Sequence, residues 1–240
     1  MQQQYTDLFI DFDDTLYDTH GNAELSLVEV WEHYNLKEYF TKLEDFTVPY
    51  WNTNIELWEL YAHGKIERDY LMVERFRRPL ALGLSKEGKR FDTSRENCLR
   101  VSDYFLDCNA VKPGTVEGAH ELMDYLRSRG YKLHMCSNGF REVQFRKLKA
   151  SQLLEYFDTV ILSEDAGVNK PSPEFFRYAF QQTGAQPSTT MMIGDNPTTD
   201  IEGAKAAGLS TIFYNRWPEY PAPDAADYSV SKLLEIKEIL

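Results

Sequence analysis

Three acids stand in four positions where an apolar run ends, in Leu8-Phe9-Ile10-Asp11-Phe12-Asp13-Asp14-Thr15-Leu16. Acids at the carboxyl end of a parallel strand occupy the edge at which doubly wound sheets bind ligands. Asp11 and Asp13 flank Phe12, so the turn of one residue can aim both carboxyls into one crevice, as paired acid–base work requires. Read alone, the motif is equally an acidic turn closing a strand. Three further apolar runs end in chemistry-bearing residues. The run YKLHMC leads into Ser137-Asn138-Gly139, TVILS into Glu164-Asp165 and then Lys170-Pro171, and TMMI into Gly194-Asp195 with Asp200 following. Singly, Ser137 would be a helix N-cap, Lys170 a solvated surface lysine, and Asp200 a first-turn acid favoured by the helix dipole. Together, and in this order, they bring a carboxyl pair, a hydroxyl, a lysine and a second acidic pair to one edge of a sheet.

The elements that must position these residues can be read from the pattern. Candidate strands are Leu8–Asp11, Tyr131–Cys136, Thr159–Leu162, Thr190–Ile193 and Ser210–Tyr214. Helical stretches near 115–129, 140–150, 173–183 and 199–207 alternate with them. Gly130, Gly184 and Gly208 stand where C′ glycines end helices, and Ser172-Pro173 reads as N-cap and first helical residue. Alternating strands and helices imply a parallel sheet. The interval 17–111 differs, with helical periodicity at Leu27, Trp31 and Tyr34, and again at Trp51, Ile55, Trp58 and Tyr61 between Pro49 and Gly64. Thr93 with Glu96 reads as a capping box opening a last helix. The expected fold is α/β, a doubly wound parallel sheet (a Rossmann-like core, 1–16 and 112–240) with an inserted α-helical cap domain at 17–111. Its linkers fall near Leu16–His20 and Asn109–Thr115. Most tryptophans of the insertion are expected in its small core, and the basic runs Arg75–Arg78 and Arg141–Lys149 on solvated helix faces. His33, His63, His120 and His134 show no metal-ligand spacing.

Composition narrows the partners. The 240 residues carry a formal net charge of −12, which argues against a nucleic-acid groove or an anionic membrane surface. A small phosphorylated ligand stays possible, because a few local cations and a metal outweigh a distant field. No apolar run approaches the roughly 20 residues that span a bilayer. The opening MQQQYTDLFID lacks a basic stretch and an apolar run, so no signal peptide is expected. Cys98, Cys108 and Cys136 have no CxxC spacing, which fits a reducing cytoplasm and gives no zinc signal.

On these motifs the chain resembles the haloacid dehalogenase superfamily, in its phosphatase branch with a helical cap inserted after the first motif. The four family motifs correspond to Asp11-Phe12-Asp13-Asp14-Thr15, Ser137-Asn138-Gly139, Lys170-Pro171, and Gly194-Asp195 with Asp200. The stretches Ser137–Gln144 and Ser163–Gly167 resemble more narrowly the bacterial pyrimidine 5′-nucleotidase subgroup. The resemblance implies a Mg²⁺-dependent phosphomonoester hydrolase working through an aspartyl phosphate. Asp11 would be the nucleophile and Asp13 the general acid and base. Ser137, Asn138, Gly139 and backbone N–H groups would cradle the phosphoryl oxygens, and Lys170 would neutralise both Asp11 and the transferring group. Asp11 and Asp195 are hard oxygen ligands of the kind Mg²⁺ takes, joined in the family by a backbone carbonyl at the Asp13 position. Asp200 would act through metal-bound water, or simply complement a helix dipole. Thr15 would fix the turn. His20, at the hinge of the insertion, is a candidate substrate contact or an ordinary hinge histidine. The expected substrate is a small phosphorylated metabolite, with nucleoside monophosphates first. The alternatives are a sugar phosphomutase and a phosphatase for another small metabolite such as phosphoglycolate. A binding module on a retired enzyme is opposed by the intact set of Asp11, Asp13, Ser137, Lys170 and Asp195. Asp13 also disfavours carbon–halogen displacement, which needs no proton donor for an alkoxide.

Overall fold

The computed structural model describes residues 5–217 and 221–240. Six strands form one sheet, β1 (Asp7–Ile10), β2 (Lys132–Ser137), β3 (Thr159–Leu162), β4 (Thr190–Gly194), β5 (Ser210–Tyr214) and β6 (Tyr228–Val230). Their order is β3-β2-β1-β4-β5-β6, and every neighbouring pair runs parallel. Helices α1 (Thr19–His33), α2 (Glu44–Ala62), α3 (Arg68–Leu80) and α4 (Arg95–Asn109) follow β1, and α5 (Ala119–Ser128) precedes β2. Then α6 (Arg141–Ala150), α7 (Ser163–Ala166), α8 (Pro173–Thr183) and α9 (Gly203–Ala206) alternate with the remaining strands.

The apolar runs of the strands follow from burial on both faces. Side chains alternate across a strand. Leu8, Ile10, Leu133, Met135, Met191 and Ile193 accordingly join one cluster with Leu122 and Leu126 of α5, Leu148 of α6, and Leu233 and Ile236 near the C-terminus. Phe9, Cys136 and Met192 join another with Phe175, Phe176 and Ala179 of α8. Leu8, Phe9 and Ile10 are wholly buried, and each such side chain stabilises by about 1.5–3 kcal/mol. Helix α8 opens as the sequence predicts, with Ser172 Oγ accepting from Glu174 N at 3.2 Å, and ends at Gly184 with φ 71°.

The chain divides into two compact units, one holding the residues up to Thr19 and from Pro113 to Leu240, the other His20–Lys112. The second is helical, with a core of Leu27, Val30, Phe46, Tyr50, Phe76, Leu80, Val101 and Phe105. Several expectations for it need correction. Helix α2 starts before Pro49 and runs through it. Its buried face is Phe46, Tyr50 and Leu57, whereas Ile55 is 64% exposed and Trp51, Trp58 and Tyr61 are partly buried. Packing decides this, because Tyr50 and Phe46 meet Phe76 of α3 at 5.1 and 6.5 Å between ring centroids. The N-cap of α4 is Ser94 rather than Thr93, with Ser94 Oγ accepting from Asn97 N. Arg75 is no solvated residue. It lies buried between Phe76 and Phe105 and donates to Ser102 Oγ, while Arg77 and Arg78 pair with Glu74.

The first unit differs from expectation at two places. The 199–207 stretch is a π-helical turn over Pro197–Glu202 followed by the short α9, and three-residue β6 lengthens the sheet edge beside β5. Among the described residues no helix is long and apolar enough to cross a membrane.

His134 of β2 is 2% exposed, with its Nε2 3.1 Å from Asp7 Oδ1. Burial holds its pKa below the ordinary 6.5, although Asp7 opposes the shift. The folded chain therefore resists protonation that the unfolded chain accepts, so this contribution to stability is full above pH 6.5 and lost as pH falls below it. His134→Gln should retain a larger share of its pH 7.5 melting temperature at pH 5.5 than the wild type does, in paired thermal melts.

Candidate active site

Register brings the chemistry together. Ile10 lies opposite Met135 on one side and Ile193 on the other, so β1, β2 and β4 deliver Asp11, Ser137 and Asp195 to one edge. Beyond β1 the chain turns sharply. Asp14 takes φ 59°, a left-handed conformation that Asp tolerates better than most residues. Backbone bonds from Asp14 N to Tyr17 O (2.8 Å) and from Tyr17 N to Phe12 O (2.9 Å) close the turn. Arg216 ties it down from beyond β5, donating to Asp14 Oδ1 at 2.6 Å and to Asp18 Oδ1 at 2.5 Å.

Lys170 is 1% exposed, and its Nζ donates to Asp11 Oδ1, Asp200 Oδ1 and Cys136 O, each at 2.7 Å. All three ammonium protons are thereby used. Burial opposes its charge, but Asp11 and Asp200 outweigh it and hold the ammonium above the usual lysine range. Asn138 holds the backbone of this lysine, with Nδ2 donating to Lys170 O (2.9 Å) and Oδ1 accepting from Lys170 N (2.8 Å). Its side chain is thus engaged in fixing the Lys170 loop.

Asp200, 1% exposed, is pinned also by Asn196 N, which donates to its Oδ2 at 3.1 Å. It packs onto the end of β4, where a Cβ on Gly194 would fall 2.4 Å from Asp200 Oδ2. Only glycine leaves that space. Asp195 is partly exposed, and Thr15 Oγ1 donates to its Oδ1 at 3.1 Å.

Asp11, Asp195 and Asp200 offer carboxylate oxygens all within 4.8 Å of one another. Burial, and the charges of Asp200 and Asp13, push Asp11 up to about 7 against the pull of Lys170. Burial, Asp11, Asp200 and Asp14 raise Asp195 well above the usual carboxylate range. Three clustered carboxyls answered by one lysine leave negative charge that protons must cancel unless a cation does. Hard oxygens, an excess of negative charge and a partly open Asp195 suit a hard divalent cation such as Mg²⁺. The carboxyl of Asp13 stands outside this trio.

Asp13 has its own partners. Its Oδ1 accepts from Lys147 Nζ at 2.5 Å and from Thr19 Oγ1 at 2.6 Å, and its Oδ2 accepts from Gln144 Nε2. Burial would raise its pKa, but the charge and hydrogen bond of Lys147, with bonds from Thr19 and Gln144, hold it below the ordinary carboxylate value. The same Gln144 amide donates to Ser137 Oγ at 2.7 Å, and Gly139 N donates to that hydroxyl at 3.0 Å. A Cβ on Gly139 would lie 1.9 Å from Gln144 Nε2, which explains the glycine there. His20 belongs to the helical unit, where its ring stacks on Trp51 at 4.3 Å.

Gln144, Lys147 and Arg216 are the residues that sequence reasoning passed over. Lys147 was hidden in a basic run read as solvated, yet it is 6% exposed. The signal was available in its spacing, since Lys147 lies one turn after Gln144 on the helix that follows Ser137, next to the buried Leu148.

A family model for haloacid dehalogenase-like hydrolases matches residues 8–208, and the chain belongs to that family. It is an enzyme of the hydrolase class. Pyrimidine 5′-nucleotidase PynA of Streptococcus pneumoniae is 32% identical over 88% of this chain and 84% of its own. Pyrimidine 5′-nucleotidase YjjG of Escherichia coli is 30% identical over 97% of this chain and 96% of its own. The solved structure of the HAD hydrolase YfnB from Bacillus subtilis, bound to magnesium, superposes with a TM-score of 0.85 at 28% identity, covering 99% of both chains.

Replacing Lys170 removes the counter-charge of two buried carboxyls. Breaking a buried pair in this way costs about 3–5 kcal/mol. Lys170→Met should lower the urea midpoint of the metal-free protein accordingly, and adding Asp200→Asn should recover part of the loss. An unchanged midpoint for the single variant would contradict the charge balance drawn here.

Proposed function

We propose that the chain is a Mg²⁺-dependent phosphatase that hydrolyses nucleoside 5′-monophosphates, pyrimidine nucleotides first, through an aspartyl phosphate. The observation that carries the chemistry is Asp11 at the end of β1, paired with Lys170 and flanked by Asp195 and Asp200. The likeness to PynA and YjjG along most of the chain supports the nucleotide. Structures named as dehalogenases, at 23% identity and below, share the fold and weigh nothing on the reaction.

With Oδ1 held by Lys170, Oδ2 of Asp11 attacks phosphorus in line. The bond to phosphorus forms as the ester P–O bond breaks, and the departing alkoxide takes a proton from Asp13. The proton on Asp13 is favoured when the phosphate dianion arrives, because nearby negative charge raises a carboxyl pKa. Asp13 then accepts a proton from water, whose oxygen attacks phosphorus and releases phosphate and the Asp11 carboxylate. Ser137 and backbone N–H groups bind the phosphoryl oxygens, and Lys170 offsets charge on Asp11 and on the transferring group. Asp11 and Asp195, with Asp200 beside them, would hold Mg²⁺, which would supply the positive charge that lets a carboxylate approach a phosphate anion. Asp13 is proposed to join the metal only through its backbone carbonyl, as in the resembled family. Thr15 serves this set by orienting Asp195. His20 is not needed for the phosphoryl chemistry. The cytoplasm is the proposed site of action, in keeping with three free cysteines.

The phosphoryl set is generic, so choice among esters rests on residues outside it. The test is phosphate release from nucleoside 5′-monophosphates, glucose 6-phosphate and phosphoglycolate, in Mg²⁺ and after EDTA. Uridine and thymidine 5′-monophosphates should show the highest kcat/KM, EDTA should silence release, and Mg²⁺ should restore it. A tenfold preference for phosphoglycolate or the hexose phosphate overturns the nucleotide reading. Release from no ester overturns the phosphatase reading.

Asp11→Asn is nearly isosteric and removes the nucleophile and a metal ligand together. Turnover should fall at least about a thousandfold, equivalent to roughly 4 kcal/mol of barrier, while the melting curve stays cooperative. Rapid-quench and steady-state assays on undeamidated protein measure it.

A further inference from the structure

Two of the three aspartates after β1, Asp11 and Asp13, are each met by a buried lysine, and the steps above use only one of those lysines. Lys170 serves Asp11. Lys147 of α6, 6% exposed, serves Asp13, and its ammonium lies 5.1 Å from the Tyr17 ring centroid. Among the described residues Asp13 is its one acidic partner. Gln144, 1% exposed and one turn earlier on α6, spans Asp13 Oδ2 and Ser137 Oγ through a single amide nitrogen. The amide cannot be reversed, because its oxygen would then face a carboxylate. The missing Cβ of Gly139 leaves the room in which this amide sits. Both oxygens of Asp13 are therefore held, and two of the three donors come from one face of one helix.

We infer that Lys147 and Gln144 are positioning residues for Asp13. Helix α6 holds the acid–base carboxyl in place, Lys147 by charge at Oδ1 and Gln144 by linking Oδ2 to the hydroxyl that binds the phosphoryl oxygens. The inference rests on the reading of Asp13 as acid and base. Lys147 acts through Asp13 and not through the phosphate. Its removal must fall on the step that needs a proton, and so on kcat rather than KM, and on alkyl rather than aryl esters.

The experiment compares Lys147→Met, Lys147→Arg, Gln144→Leu, Asp13→Asn and the double variant Lys147→Met/Asp13→Asn. Substrates are the nucleoside monophosphate turned over fastest and p-nitrophenyl phosphate, whose phenolate leaves with little protonation. For Lys147→Met, kcat on the nucleotide should fall about 30–100-fold with KM within about threefold, against a loss under about fivefold on the aryl ester. Lys147→Arg should regain part of the rate. Gln144→Leu, which removes no charge, should show the same leaving-group pattern and keeps the test open if Lys147→Met does not fold. The double variant should lie within about twofold of Asp13→Asn alone, since the lysine has nothing left to position. Equal losses on both esters, a loss carried by KM, or additive losses in the double variant overturn the inference. A wild type that releases phosphate from neither ester instead overturns the phosphatase reading itself.

Discussion

Negative charge crowded at one edge of a parallel sheet is the constraint from which the rest of this site follows. Parallel strands present all their carboxyl ends together, so acids placed after β1 and β4 have to meet. Each buried carboxylate is costly unless something answers its charge. The chain answers with two buried lysines from different elements. Lys170 comes from the loop before α8 and bridges Asp11 and Asp200, while Lys147 comes from α6 and meets Asp13. The provision is unequal. Asp13 has a lysine to itself and is pulled below the usual carboxylate range, whereas Asp11 shares its lysine and is driven up. In the proposed reaction both directions must be reversed, a bound cation lowering Asp11 so that it attacks as a carboxylate and the phosphate dianion raising Asp13 so that it carries a proton.

Close packing makes that charge arrangement possible, and the motif glycines are part of it. Gly194 and Gly139 do not supply unusual backbone angles here; each vacates the volume that a neighbouring polar side chain needs. A Cβ at Gly194 would strike Asp200, and one at Gly139 would strike Gln144. Gly203 does the same for the other end of the lysine loop, since its Cβ would fall 2.7 Å from Pro171 Cβ. Glycine thus lets polar groups approach strand ends closely enough to bond. The reciprocal amide bonds between Asn138 and Lys170 then fix where that lysine stands.

What was legible in the sequence follows the same division. Strands buried on both faces write continuous apolar runs, so Thr159–Leu162 and Ser210–Tyr214 were readable to the residue. Residues at the ends of those runs, Asp11, Ser137 and Asp195, were readable because parallel topology leaves them one destination. β6 was not, because three residues at an edge hold too little alternation to stand out. The buried face of α2 was misread because two aromatic stripes compete on one helix, and packing against Phe76 chose Phe46 and Tyr50. Lys147 and Arg75 failed for one reason. A basic run suggests solvent, but a single member can turn inward when a carboxylate, or a hydroxyl with aromatic rings, waits for it.

The charged groups that answer one another at the strand ends, Asp11, Asp13, Lys147, Lys170, Asp195 and Asp200, are all drawn from the unit that carries the sheet. That unit also supplies their supports, Thr15, Gln144 and Arg216. The two lysines are the least replaceable members, because removing Lys170 or Lys147 leaves the carboxyls it answers without a cation. The helical unit carries no such burden. Its own buried charges are satisfied internally, Arg75 by Ser102 and two aromatic rings and Glu74 by Arg77 and Arg78. In the proposed reaction phosphoryl transfer needs a fixed electrostatic frame, and the charged groups of that frame fall within one compact unit, where packing against a single sheet can hold them.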